Sequence, residues 1–289
     1  TTLSMIVAMG ALHNQYGLKE LVVASYQAAS GAGQPGLDIL REQMNLVANT
    51  NSGDAAGDSR KVIKDFGPFS APLALNVIPW AGSLKEDGYS SEELKVRNES
   101  RKILGLKNLK VSATCVRVPV LTTHSLAVHA IFDKEVSRQV AQDVLKNAAG
   151  VELVDDPENH KFPTPADVVG TDPTWVGRVR KSLDDPNAID LFVCGDNLRK
   201  GAALNTAQIA ELVADRDQPS MSSDLVNVEF AREILESLSF RDQQIWVLHT
   251  AGYSTAEIAI QLDFANAQVV ATKMGQIRTK LQKAFGSQI

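Results

Sequence analysis

The sequence predicts an α+β fold in which helices cover one face of a mixed sheet. Segments of strand character alternate with segments of helical periodicity in residues 1–215. Several neighbouring strands are too close in sequence for a crossover helix, so antiparallel pairs are expected beside parallel ones. After residue 215 no strand pattern follows, and a small all-α module with a helix-turn-helix outline is expected. The predicted domains are residues 1–215 and 225–289, joined by a polar linker at 216–224.

Local patterns predict the individual elements in chain order. A mostly apolar opening segment favours a buried helix, and Pro35 precedes a second helix. Ser91 followed by two glutamates predicts the start of a third helix, which stops near Gly105. The predicted helices are 3–16, 37–48, 91–105, 137–148, one extending to residue 213, and then 225–237, 240–250, 254–262 and 266–284. The predicted strands are 21–26, 73–80, one containing residues 116–120, and then 125–132, 151–154, 176–180 and 189–194.

Composition excludes several classes of protein. The 289 residues are 44% hydrophobic and 22% charged, with a net charge of -5, so the chain as a whole is not a general polyanion binder. Cys115 and Cys194 lack metal-type spacing and indicate a reducing compartment. The apolar opening lacks a basic start and is shorter than a bilayer span, so we expect a cytoplasmic protein without membrane contacts. No Walker loop, dinucleotide fingerprint or metal-ligand cluster occurs in the sequence, and no bound metal is predicted.

Residues 115–125 carry the most chemistry. Arg117 presents a planar set of donors suited to a carboxylate or phosphate, and His124 can exchange a proton near neutral pH. A regular strand would send side chains seven positions apart to opposite faces. We therefore expect a bend at Pro119 and the Thr122-Thr123 pair that brings both side chains into one site. The alternative is that His124 is a structural, hydrogen-bonded histidine.

Two further segments are candidates on weaker grounds. Glu99 and Lys102 lie at i and i+3 on one helix face, where the alternative is a surface ion pair. Gln27 ends a strand and is followed by Ser-Gly-Ala-Gly, small residues that let a ligand approach the backbone closely. A simple turn is the alternative interpretation of that segment.

Together these segments resemble the aspartate-semialdehyde dehydrogenase family. The resemblance is carried, over roughly residues 1–215, by Ser-Tyr-Gln-Ala-Ala-Ser-Gly-Ala-Gly at 25–33, Asn-Glu-Ser-Arg-Lys at 98–102, Cys-Val-Arg-Val-Pro-Val at 115–120 with His124, and Gly-Asp-Asn-Leu-Arg-Lys-Gly at 195–201. It implies NADP-dependent interconversion of L-aspartyl 4-phosphate and L-aspartate 4-semialdehyde, for lysine, methionine, threonine and isoleucine biosynthesis. The implied roles are substrate and acyl-intermediate positioning for Gln27, amine binding for Glu99, phosphate binding for Lys102, carboxylate binding for Arg117, acid/base catalysis for His124, and NADP contact for Ser30, Gly31 and Asn197.

The resemblance also implies what this polypeptide lacks. The family's nucleophile is a cysteine directly before a Thr-Thr or Ser-Thr pair, and here it would precede Thr1. The upstream dinucleotide-binding domain, which would supply most NADP contacts, is likewise outside the sequence. Cys115 and Cys194 lie in other motifs. We therefore expect the chain to be inactive alone, and the family's dimer interface implies a homodimer through the sheet.

The tail at 240–262 is similar to the helix-turn-helix of region 4 in bacterial RNA polymerase sigma factors. Its pattern is Phe-Arg-Asp, an aliphatic stripe, Gly-Tyr-Ser and then Glu-Ile-Ala. Promoter DNA or RNA polymerase would be the implied partner, with DNA contacts from the last helix. A small protein-interaction module is the alternative for the tail, and a DNA-binding regulator with an enzyme-like dimerisation or sensing scaffold is the alternative for the whole chain. Met221 marks a point where two reading frames would be joined. The DNA-contact candidates are Lys273, Arg278 and Lys280.

Overall fold

The computed structural model of the chain describes residues 1–48, 50–53, 59–200, 206–211, 239–250 and 253–285. The chain forms two compact units, Thr1–Gly201 and Ala202–Ile289. The expected boundary at residue 215, the linker at 216–224, the helix at 225–237 and Met221 all lie outside the described residues.

The first unit is organised around a six-stranded sheet, which is mixed, as the sequence predicted. The strands are β1 (Leu18–Gln27), β2 (Lys110–Arg117), β3 (His124–Phe132), β4 (Val151–Leu153), β5 (Thr174–Lys181) and β6 (Ala188–Gly195). Strands β1 and β2 are parallel, as are β4 and β5, and the other neighbouring pairs are antiparallel. The strand order is β2-β1-β3-β6-β5-β4, so β1 lies between two strands that run in opposite directions.

The helices of this unit differ in what they cover. The first helix is apolar nearly all round because it packs on the sheet between two other helices. The N-cap of the third predicted helix is Ser90, one residue before the predicted Ser91, and Ser90 forms a capping box with Glu93. The helices are α1 (Thr2–Tyr16), α2 (Gln34–Val47), α3 (Ser59–Val62), α4 (Ser91–Ile103), α5 (Arg138–Lys146) and α6 (Pro165–Val168), with short 3-10 turns at Ala29–Ala32, Glu86–Gly88 and Pro157–Asn159.

The core of the unit lies between α1 and the sheet. Met5, Met9 and Leu12 of α1 are fully buried against strand residues such as Leu126 and Phe132. Burial of such side chains stabilises the fold by about 1.5–3 kcal/mol each. Successive residues of β1 alternate between this core and a more open face, as the period of a strand requires.

The strand predicted at 73–80 is wrong. This segment forms turns, and only Ile78 makes a bridge, exchanging two backbone hydrogen bonds with Arg117. Leu75 has a positive φ of 58°, which interrupts an extended chain, and Pro79 has no N–H to donate. The apolar residues that indicated a strand instead fill a second cluster with Leu40 and Ile63.

The described part of the second unit is helical. It contains α7 (Phe240–Thr250), α8 (Thr255–Gln261) and α9 (Ala267–Phe285), which pack around Ile245, Ile258, Val270, Met274 and Ile277, and residues 206–211 are also helical. Within the ranges that the structure describes, no helix has both the length and the apolar character needed to cross a membrane.

Two glycine substitutions should have opposite effects on stability. Gly10 lies inside α1, where an added Cβ would make one ordinary contact at 3.6 Å, so Gly10→Ala should stabilise the unit by about 1 kcal/mol. At Gly195 the same Cβ would lie 2.6 Å from the Ser4 hydroxyl, so Gly195→Ala should destabilise it by roughly 1–3 kcal/mol. Urea unfolding of both variants against the parent chain checks the signs, and two shifts of the same sign would contradict this packing.

Candidate active site

The segment between β2 and β3 crosses the C-terminal end of β1. Because β1 separates the two strands, residues 118–123 must pass over that end. Three backbone hydrogen bonds hold the crossing: Val118 N–H to Gln27 O at 3.0 Å, Ala29 N–H to Val120 O at 2.8 Å, and Ser30 N–H to Leu121 O at 2.9 Å. The end of β1 is therefore enclosed by the crossing segment.

Arg117 and His124 lie on two strands rather than on one bent strand. Arg117 is the last residue of β2 and His124 is the first of β3. The bend predicted near Pro119 and the two threonines lies within the crossing segment, and Thr123 has a positive φ of 77° there. Their positions on either side of β1 bring the two side chains together.

Both side chains bind the backbone of Ala28. Nη1 of Arg117 donates to the Ala28 carbonyl at 2.6 Å, and the Ala28 N–H donates to Nδ1 of His124 at 3.1 Å. Only 6% of Arg117 and 5% of His124 is exposed. One residue of main chain thus fixes the positions of a cation and an imidazole.

Gly31 lies directly against this pair. A Cβ at Gly31 would be 2.6 Å from Nη1 of Arg117 and 3.3 Å from Nε2 of His124. Any larger residue would therefore collide with the Arg117 guanidinium and press against the imidazole of His124. The site needs glycine here for a close approach, since Gly31 does not have a positive φ.

The hydrogen bond from Ala28 sets the protonation of His124. Because Nδ1 accepts, the single proton of a neutral imidazole is on Nε2, the nitrogen beside Gly31. Burial holds the pKa of His124 well below its usual value, and the positive charges of the Thr1 α-amino group, Arg117 and Lys95 act in the same direction. His124 is consequently a neutral hydrogen-bond donor at neutral pH.

Gln27 is buried and connects β1 to the start of α1. Its Nε2 donates to Oγ1 of Thr1 at 2.8 Å. Burial also lowers the pKa of the Arg117 guanidinium, while the nearby carboxylate of Glu92 acts in the opposite direction. The ring of Phe69 lies 5.9 Å from the Arg117 guanidinium carbon.

Of the two residues predicted on helix α4, Glu99 acts on Thr1 together with Glu92 and Lys95. Burial chiefly lowers the pKa of the Thr1 amino group, and Glu92, Lys95 and Glu99 all act on it. These three positions recur at helical spacing on the side of α4 that faces Thr1. Lys102 is exposed, and no described contact joins it to Arg117 or His124. The described ion pair of this helix is Lys95 with Glu92, at 3.6 Å, and not the Glu99–Lys102 pair.

Ser30 and Asn197 are joined to each other. Asn197 Nδ2 donates to Ser30 Oγ at 2.9 Å, and Asn197 Oδ1 accepts the N–H of Thr123, also at 2.9 Å. The structure thus brings Gln27, Ser30, Gly31, Arg117, His124 and Asn197 together around the end of β1. Sequence reasoning missed Ala28, whose role is played by backbone groups, and Lys95, which only the helical spacing of 92, 95 and 99 could have indicated.

Neither cysteine is suited to act as a nucleophile. Both thiols are buried, and burial raises the pKa of Cys115 and of Cys194 to about 11. Sγ of Cys194 lies 3.1 Å from the hydroxyl of Ser125. At neutral pH both therefore remain protonated thiols.

Comparison with known proteins places the first unit in a family. The family described as "Semialdehyde dehydrogenase, dimerisation domain" matches residues 9–200. Aspartate-semialdehyde dehydrogenase of Corynebacterium melassecola is 48% identical over 217 residues, which cover 74% of this chain and 61% of the relative. The enzyme of Streptomyces akiyoshiensis is 47% identical over 221 residues, covering 74% and 62%.

A solved structure agrees with these relatives. The crystal structure of aspartate semialdehyde dehydrogenase II from Vibrio cholerae, complexed with ASA, is 35% identical with a TM-score of 0.67, covering 74% of this chain and 60% of that one. The chain spans about three fifths of the length of the curated relatives that it matches, 61% for each of the first two. The match to residues 9–200, which include the enclosed end of β1 with Arg117 and His124, shows that the chain belongs to the semialdehyde dehydrogenase dimerisation-domain family.

Proposed function

We propose that this chain supplies the substrate-binding part of an NADP-dependent aspartate-semialdehyde dehydrogenase. The reaction is the interconversion of L-aspartyl 4-phosphate and L-aspartate 4-semialdehyde. The observation that carries the proposal is the convergence of Arg117 and His124 on Ala28, with the backbone of Gly31 packed directly against both. The relatives named aspartate-semialdehyde dehydrogenase support it.

Arg117 is the proposed carboxylate ligand. Its bond to Ala28 uses one N–H of five, and among the described residues no other hydrogen bond engages the guanidinium. Burial strengthens the attraction between a fixed cation and a substrate carboxylate, because little water remains to screen it. The planar donor set also orients the substrate, which a lysine ammonium would not do.

His124 is the proposed partner of the substrate oxygen. Its Nε2 proton lies on the Gly31 side of the ring, and the proposed role is donation of that proton to a carbonyl oxygen or to an oxyanion. Acceptance of a proton at Nε2 requires the other tautomer, and therefore requires the bond from the Ala28 N–H to Nδ1 to break. The acid/base role expected from the sequence remains a prediction that includes this step.

The remaining roles rest on the family resemblance. Glu99 would bind the substrate amine and Lys102 the phosphate. Ser30, Gly31 and Asn197 would contact NADP, which carries the hydride when bound. The side chains of Ser30 and Asn197 already bind each other.

Replacement of Arg117 tests the carboxylate role. Arg117→Lys should raise the Kd for L-aspartate 4-semialdehyde about tenfold, because a tetrahedral ammonium cannot reproduce two parallel donors, and tenfold corresponds to about 1.4 kcal/mol. Titration calorimetry on the purified chain measures the change. Arg180→Lys is the matched control, since Arg180 is exposed on β5 and bonds only to the Arg178 carbonyl in the described structure.

Equal affinity of Arg117→Lys and the parent chain would remove Arg117 from substrate binding.

The predicted inactivity of the chain has a test of its own. Phosphate- and NADP-dependent oxidation of the aldehyde by the purified polypeptide would contradict the predicted inactivity, because its two thiols are buried with pKa values of about 11.

The open face of the sheet is the proposed interface of a homodimer. Val22 and Tyr26 of β1 are 43% and 38% exposed, on the face opposite the α1 core. The Tyr26 ring lies 6.2 Å from that of Phe192, and His129 binds Asp190 at 2.9 Å nearby. A sheet face with exposed apolar side chains favours a second copy of this chain, and the dimerisation-domain family supports this assignment.

A charge in this face should separate the dimer. Val22→Lys is expected to give a monomer by sedimentation equilibrium where the parent chain is a dimer, because a buried unpaired ammonium is costly. Leu183 is fully exposed between β5 and β6, so Leu183→Lys should leave the dimer intact. A monomeric parent chain, or a dimeric Val22→Lys variant, would refute the interface.

DNA binding by the helical unit is a second candidate function. Ser254 and Glu257 form the predicted capping box of α8, and α8 packs on α9. Both features support the proposal of a helix-turn-helix. Residues 265–285 carry four basic residues and no acidic residue. Lys273 bonds to Asp242 at 2.9 Å, which commits its ammonium within the unit. The structure does not describe the side chains of Arg278 and Lys280.

Salt-dependent binding tests this candidate. Fluorescence anisotropy with duplex promoter DNA should show affinity that falls steeply from 50 to 200 mM salt, by roughly 10³-fold or more if six or more phosphates are contacted. Replacing Arg278 and Lys280 with alanine should weaken binding and reduce the salt slope, whereas replacing Lys107 and Lys110 in the first unit should not. Binding that is unaffected by the first pair would sink the assignment.

A further inference from the structure

The side chain of Asn197 joins the two segments that border His124. Asn197 lies two residues beyond the end of β6. Its Oδ1 accepts the N–H of Thr123, and its Nδ2 donates to Ser30 Oγ. We propose that Asn197 is a positioning residue that holds the imidazole of His124 in place through the backbone of Thr123.

Thr123 has a backbone conformation that its side chain disfavours. Its φ is 77°, in the left-handed region that β-branched residues rarely adopt. Only 1% of the residue is exposed, and its hydroxyl has no hydrogen-bond partner among the described residues. The described hydrogen bond that supports this conformation is therefore the one from its N–H to Asn197.

The position of His124 depends on that conformation. A change of φ at Thr123 rotates the chain directly before His124, and the bond from Ala28 to Nδ1 is already at 3.1 Å. Without that bond, nothing on Ala28 would favour the tautomer of His124 that is protonated on Nε2. The Ser30 bond of Asn197 restrains the other side, because Ser30 belongs to the turn that follows Ala28.

Asn197 is itself held by its neighbours. The buried carboxylate of Asp196 accepts the N–H groups of Gly170 and Leu198, each at 2.8 Å. Gly195 pairs with His124 across β6 and β3. The amide of Asn197 therefore projects from a fixed loop and can transmit that rigidity to Thr123. The catalytic meaning of this positioning rests on the function proposed above, but the positions of Asn197, Thr123 and His124 do not.

Histidine NMR can test the inference without substrate. In the parent chain labelled with [15N]histidine, we expect His124 to show one unprotonated Nδ1 and one protonated Nε2 from pH 5.5 to 8. His124→Gln assigns these signals among the five histidines. Asn197→Ala should abolish the separate unprotonated-Nδ1 signal, because Thr123 relaxes and both tautomers form. Every variant keeps the charged groups that act on the pKa of His124, which are Arg117, Lys95 and the Thr1 amine.

A second substitution separates positioning from general structural damage. Glycine adopts a positive φ without a Cβ penalty, so Thr123→Gly in the Asn197→Ala background should restore the parent His124 signals. Asn147→Ala is the matched control, since that side chain bonds at the end of α5, and it should leave His124 unchanged.

The outcomes are distinct from those of the catalytic proposal, because no turnover is measured. Loss of the Nδ1 signal in Asn197→Ala with recovery in the double variant supports the inference. An Asn197→Ala variant with parent-like His124 signals overturns it. A double variant as disturbed as Asn197→Ala, or equally unfolded, also overturns it and would make Asn197 merely structural.

Discussion

The site depends on the backbone of Ala28, which accepts a hydrogen bond from Arg117 and donates one to His124. This anchor exists because β1 lies between β2 and β3, so the chain must cross the end of β1 to connect them. A main-chain anchor does not depend on which small side chain occupies position 28. The sheet order, rather than any local motif, therefore brings the Arg117 guanidinium and the His124 imidazole to one residue of the main chain.

Arg117 and His124 carry different charges in the same buried surroundings, because their intrinsic pKa values differ. A guanidinium keeps its charge when buried because its intrinsic pKa is so high, whereas an imidazole loses its proton. Arg117 and His124 are buried alike, yet the first stays cationic and the second neutral. Fixed donors in a dry site need little reorganisation when charge develops on a bound oxygen. The positive φ of Thr123 is a local strain held at this same place.

The two faces of the sheet differ in what covers them. Helices α1, α4 and α5 pack on one face and form the core of the unit. The other face leaves Val22 and Tyr26 exposed. The helical unit has an apolar cluster of its own around Ile245 and Ile258.

The sequence by itself determined the residue types and most of the elements. Apolar character was enough for α1 and β3, and the motifs containing Arg117, His124 and Gly31 predicted that these residues share one site. Tertiary structure decided that Arg117 and His124 end and begin different strands, because strand pairing joins residues far apart in the chain. It also turned residues 73–80 from a predicted strand into turns, since Leu75 is left-handed there. The bond from Asn197 to Thr123 spans 74 residues, and no local pattern in the sequence encodes a contact of that range.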